Sequence, residues 1–259
     1  MLKLSDARNF RRTAAALALI IGPILLLAQS LITTFGGDDT AEYLAEVATR
    51  RGAEEASAVL GILGFALLIP GIIGALNLLR GRGVVLGHLG GTLTVLGLAC
   101  FCALFASSFY DVAATAGGAD TQAYVDITDS LEDRAGPIVI VAIALVGTLL
   151  GFILLGAAFI RARTVPLFAP ILIILGVIVV GPLGGEAGSR IPSVIGNLLL
   201  LGGWGTVGLT LLRQRDEEWK RPRLTTTSPA AGAGDAVATP PAAGSEPPPP
   251  RGESQGNEH

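Results

Sequence analysis

The stretch GPIVIVAIALVGTLLGFILLGAAFIRAR, residues 136–163, decides the fold. From Pro137 to Ile160 it carries no charge, and a helix of that length reaches about 36 Å, enough to cross a hydrocarbon core of about 30 Å. Pro137 suits a first helical position, where its missing N–H removes no bond. Arg161 and Arg163 close the run. Working outward, apolar blocks predict spans at 13–34, 58–79, 84–109, 137–160, 166–180 and 192–212. Gly22-Pro23 and Pro70-Gly71 fall inside the first two, where they favour kinks. The fifth block is short and ends at Gly181-Pro182, so the last two also read as one broken hairpin. Only 15% of the 259 residues are charged, whereas a soluble domain needs about a quarter. The expectation is an all-α membrane protein, a bundle of about six transmembrane helices.

Basic residues orient the bundle. Lys3, Arg8, Arg11 and Arg12 fill segment 1–12, Arg80 and Arg82 the turn after the second span, and Arg161 and Arg163 the turn after the fourth. Arg213, Arg215, Lys220, Arg221 and Arg223 fill the juxtamembrane segment 213–224, beside Trp219. All of these fall on one face, which places both termini in the cytoplasm of a bacterial plasma membrane. Arg80, Arg82, Arg161 and Arg163 are candidate inner-face anchors for anionic lipid. The opposite face is acidic, with Glu42, Glu54 and Glu55 in the first outer loop and Asp111, Asp126, Asp129 and Asp133 in the second. Glu186 falls in the third outer turn. Ala28-Gln29-Ser30 has the form of a signal-peptidase site, but the apolar run continues past it to full membrane length. Residues 225–259 are rich in Pro, Ala and Gly with no aromatic residue, a composition that predicts a disordered tail.

An offset of 81 residues aligns Gly36-Gly37-Asp38-Asp39-Thr40-Ala41-Glu42-Tyr43 with Gly117-Gly118-Ala119-Asp120-Thr121-Gln122-Ala123-Tyr124, and Arg80-Gly81-Arg82 with Arg161-Ala162-Arg163. The pattern Gly-Gly-x-Asp-Thr-x-x-Tyr suggests a parallel internal repeat of helix, outer loop and returning helix. Asp39 and Asp120 have the chemistry of N-caps for short amphipathic helices in those loops. Tyr43 and Tyr124 then sit either at headgroup depth or in a binding site. Asp39, Thr40, Tyr43, Asp120, Thr121 and Tyr124 are therefore the candidate outer-loop interaction residues. These paired outer motifs and basic inner turns resemble multi-pass proteins common in high-GC actinobacteria, a resemblance that implies no activity.

Chemistry inside the spans is sparse. The two histidines, His88 near a membrane interface and His259 in the tail, supply no haem pair or histidine-rich metal site. Cys100 and Cys102, two apart on one helix, point in different directions. No Ser-His-Asp set or phosphate loop assembles, so no cofactor and no nucleic-acid partner is expected. Gln29, Ser30, Thr33 and Thr34 line the outer half of the first span, with Asn77, Thr148, Asn197 and Thr206 scattered elsewhere. Interhelical hydrogen bonds account for such residues. Gly83, Gly87 and Gly91, and Gly147 with Gly151, have the spacing of close helix contacts, and Trp204 fits a groove between helices.

The expected role is non-enzymatic: a scaffold, accessory subunit or sensor, working in the lipid bilayer with a membrane-protein partner or a second copy. A small permease or channel with a path between the repeats is the alternative. An enzyme using the acids of the second outer loop is a third reading.

Overall fold

The computed structural model describes residues 7–34, 39–79, 81–117, 120–132, 134–181 and 190–213. They form eight α-helices and one short 3-10 turn, with no strand among the described residues. The helices are α1 (Ala7–Ile32), α2 (Thr40–Thr49), α3 (Arg51–Leu76), α4 (Val84–Ala114), α5 (Thr121–Glu132), α6 (Ala135–Ala162), α7 (Phe168–Val180) and α8 (Arg190–Arg213). Five of them, α1, α3, α4, α6 and α8, are long and apolar enough to cross a membrane. The chain is thus a multi-pass helical membrane protein. Expected fifth span 166–180 is the exception: α7 has 13 residues, about 20 Å of helix. Residues 1–6, Arg80, Asp133, Glu186 and the tail 225–259 lie outside the described residues, as does most of the juxtamembrane segment.

The first helix starts at Ala7 rather than 13, and two further boundaries differ from the hydropathy reading in ways that move charged residues. The second span begins at Arg51 rather than 58, so Glu54 and Ser57 belong to the helix and not to the loop. The third runs on to Ala114 and takes Asp111 with it. Hydropathy stops where charges start, but a helix continues wherever its polar side chains find partners.

The six apolar helices close into a ring. Each packs against its predecessor and successor in the chain, and α8 completes the circle against α1. Antiparallel neighbours place the start of α1 and the end of α8 at one end, called here the arginine end because Arg12, Arg161, Arg163 and Arg213 lie there. The short helices α2 and α5 sit at the other end and touch one another. Ile138, Val139, Val146, Leu150 and Leu89 remain exposed on the ring's outside, the pattern of helices that are apolar all round and face lipid. The arginine-end half of the interior is solid: Leu19, Ile72, Leu155, Phe159 and Leu211 are fully buried.

Glycine sets the helix spacing. Along the α4/α6 seam a Cβ on Gly151 would lie 2.9 Å from the Gly90 carbonyl, and one on Gly97 3.1 Å from the Ala144 carbonyl. Gly147 packs there too, beside Gly97. Gly87 and Gly91 serve another seam, facing Leu79 and Leu76.

Candidate functional site

The other half of the ring is hollow. A cavity of about 290 Å³ takes lining residues from all six apolar helices. One wall is polar: Gln29, Ser30, Thr33 and Thr34 come from α1, Ser193 and Asn197 from α8. The facing wall is aromatic, with Phe65, Phe101 and Phe105 from α3 and α4. Phe65 stacks on Phe101 at 5.0 Å between ring centroids and tilts against Phe105 at 5.6 Å. Towards mid-bundle Phe152 meets Trp204 edge-on at 5.3 Å, and Phe159 meets the same indole at 6.4 Å. No ionisable residue among the described ones lines the cavity.

The polar wall holds itself in place. Gln29 Nε2 donates to Ser57 Oγ (3.3 Å), Ser30 Oγ to the Leu27 carbonyl (2.8 Å), and Asn197 Nδ2 to the Ser193 carbonyl (3.0 Å). Thr34 Oγ1 and Trp204 Nε1 are buried and have no hydrogen-bond partner. So do Thr94 and Thr148, whose Oγ1 atoms lie against Gly151 and Gly97 on the opposite helix.

Above the cavity, the end of α1 is clamped. Helix termini leave their last carbonyls without intrahelical donors, and cations satisfy them well. Arg50 donates to the Ile32 carbonyl (3.1 Å) and Arg190 to the Thr33 carbonyl (3.3 Å). The Thr34 N–H donates to Glu54 Oε2 (3.0 Å). Arg51 does the equivalent for α4, its Nε donating to Thr115 Oγ1 (3.1 Å) and its Nη2 to the Thr115 carbonyl. Glu54 is only 4% exposed, which makes it the one strongly buried acid among the described residues. Sequence reading passed over it as a loop charge. Its burial follows from α3 starting at Arg51, which hydropathy does not show.

The six candidate outer-loop residues turn towards the protein's own partners. Asp39 is the N-cap of α2 and accepts from the Ala41 N–H (3.2 Å); Asp120 accepts from the Ala123 N–H (3.0 Å) at the start of α5. Thr40 Oγ1 donates to Asp129 (2.9 Å), tying α2 to α5, and Thr121 Oγ1 donates to the Ala114 carbonyl (3.1 Å). Tyr43 donates to Glu54 (3.5 Å) and Tyr124 to Asp111 (2.8 Å). Burial, then the charges of Glu54 and Asp111, pushes the Tyr43 hydroxyl well above the usual phenol range. Tyr124 is pushed up to about 12, by burial first and then by its bond to Asp111. The two tyrosines and two acids therefore form one cluster at the base of the α2/α5 pair.

At the arginine end, Arg161 and Arg163 are exposed, and Arg163 ends α6 in a left-handed conformation (φ 51°). Arg82 belongs to the turn Gly81–Gly83, and Arg80 lies outside the described residues. Asn77 and Thr206 make only helix-local bonds, to the Gly74 and Gly202 carbonyls. Of the scattered polar residues, the fold gathers Thr148 and Asn197 with the α1 set around the cavity. No group of three or more His, Cys, Asp or Glu side chains among the described residues is placed to hold a metal. No protein-family description, curated protein or solved structure matches this chain.

Proposed function

We propose that this is a non-enzymatic plasma-membrane protein of the sensor kind, which holds a small uncharged molecule inside its helical ring. The observation that carries this reading is the cavity of about 290 Å³, polar on one wall and aromatic on the other, that stops at mid-bundle. Pockets of this character are where small ligands bind. A permease or channel is less well supported, because Leu19, Ile72, Phe159 and Leu211 fill the remaining half of the ring and leave no path across it. An enzyme is less well supported too. The acids of α5, Asp126 and Asp129, are exposed, while Glu54 and Asp111 are engaged in holding tyrosines and the end of α1.

The distribution of arginine favours a cytoplasmic arginine end. Of the four arginines among the described residues at the opposite end, Arg50, Arg51 and Arg190 cap helix termini, and Arg134 immediately precedes α6. We also read α1–α3 and α4–α6 as products of a duplication. The shared order of long, short and long helix supports this, as do the Asp caps and the inward-bonded tyrosines.

Native mass spectrometry of the protein released gently from its membrane tests the function. The expected result is a stoichiometric small molecule on the wild type and none on Leu200→Trp, which fills the cavity. An empty wild type overturns the reading. Reporter fusions after Arg82 and Arg163 should report the cytoplasm, and an external signal at either overturns the orientation.

A further inference from the structure

The chemistry of the two walls narrows the ligand, and the argument rests on the binding role just proposed. Charge is excluded first. Among the described residues no cationic or anionic side chain lines the cavity, and a buried ion without a counter-charge or full solvation costs several kcal/mol. Size comes next. About 290 Å³ lies at the lower edge of the usual range for ligand pockets, roughly 300–1,000 Å³. That accommodates one compact body, not a two-chain lipid.

The polar wall then calls for a group that both donates and accepts. The amide nitrogens of Gln29 and Asn197 are already donating, to Ser57 and to the Ser193 carbonyl. The Ser30 hydroxyl hydrogen is likewise spent on Leu27. What these three side chains still offer is oxygen lone pairs and, from the two amides, one further N–H each, beside the unpartnered donors Trp204 Nε1 and Thr34 Oγ1. A carbonyl or ether answers only the donors, whereas a hydroxyl both accepts from them and donates to a side-chain oxygen. Across from them, the stacked rings of Phe65 and Phe101 with Phe105 present an apolar face.

We infer that the cavity takes a compact, uncharged apolar alcohol, with its hydroxyl donating to the Asn197 side-chain oxygen, its oxygen accepting from a remaining N–H of the wall, and its body against Phe65, Phe101 and Phe105. The bilayer is the reservoir for such a molecule, which partitions into lipid far better than into water.

The sequence has two tryptophans, Trp204 and Trp219, so Trp219→Phe leaves the cavity indole as the only emitter. The full chain carrying that substitution, in lipid nanodiscs, is titrated with farnesol, with the hydrocarbon farnesene and with farnesyl phosphate. Farnesol should change Trp204 emission saturably. Farnesene should bind about tenfold more weakly for want of the hydrogen bond, and the phosphate about a hundredfold more weakly. Asn197→Leu should bring farnesol down to the farnesene level and leave farnesene unchanged, a pattern that simple misfolding does not produce. Equal affinity for farnesol and farnesene, tighter binding of the phosphate, or indifference to Asn197→Leu overturns the alcohol. So does silence from all three probes when native mass spectrometry finds another bound molecule. Silence from all three together with an empty native spectrum overturns the binding role itself.

Discussion

The α1–α3 and α4–α6 units run the same course, a long helix, a short one begun by Asp-Thr and a long return, yet each is held together differently. In the first, leucine side chains come nearest: a Cβ on Gly71 or Gly64 would lie 2.8 Å from Leu19 or Leu26, with backbone no nearer than 3.1 Å. In the second, backbone comes closer: a Cβ on Gly151 would lie 2.6 Å from the Thr94 nitrogen, and one on Gly97 2.6 Å from the Thr148 nitrogen. The tyrosines diverge as well. Tyr43 reaches an acid on the helix that follows it, Tyr124 one on the helix that precedes it. Similar local sequence yields similar short helices, while the contacts that stabilise each unit come from whichever neighbour the ring supplies.

The seams give the largest test. Gly151→Leu pushes a side chain into backbone that cannot yield, and should cost at least about 3 kcal/mol in SDS-driven unfolding or abolish the folded protein. Gly71→Leu should cost about 2 kcal/mol, because leucine tips can move. Adding Leu19→Ala should recover part of it, whereas no trimmed side chain on α4 should rescue Gly151→Leu. Equal costs at the two glycines would erase the distinction.

The acids separate next. Glu54→Leu removes the acceptor of both the Thr34 N–H and the Tyr43 hydroxyl, and should lower stability by about 2 kcal/mol in the same unfolding measurement. Asp111→Leu removes the acceptor of Tyr124 alone among the bonds shown and should cost about 1 kcal/mol. A larger loss at Asp111 would reverse the ranking of the two units.

The smallest effect is a titration. The Tyr124 pKa is raised, from 10.0 to about 12, so the folded protein holds that proton more tightly than the unfolded chain. The stabilisation is complete below pH about 10 and is lost as pH rises towards about 12. The phenolate absorbance of wild type minus Tyr124→Phe should show a group titrating near 12. A difference curve centred on 10 would mean that Asp111 and burial do not act on this hydroxyl.

Much of the architecture was legible because it rests on short-range regularities. An uncharged run from Pro137 to Ile160 has no soluble alternative, and Asp39 and Asp120 cap the helices they precede because a short acceptor side chain suits that position. The start of α3 was not legible. Arg50, Arg51 and Glu54 read as loop charges, and only the ends of α1 and α4 reveal why they are ordered. The binding wall was half legible: the polar residues of the first span were evident, but their convergence with Asn197 and three phenylalanines was not.

Sequence by itself determined the apolar helices, the caps and the segregation of arginine, since each depends on hydropathy, chain length or a residue's own side chain. Tertiary structure alone decided that the helices close into a ring, that half of it is solid and half hollow, and that Glu54 is buried. Those properties depend on how residues far apart in the chain meet, and steric fit between helices leaves no periodic mark in any one of them.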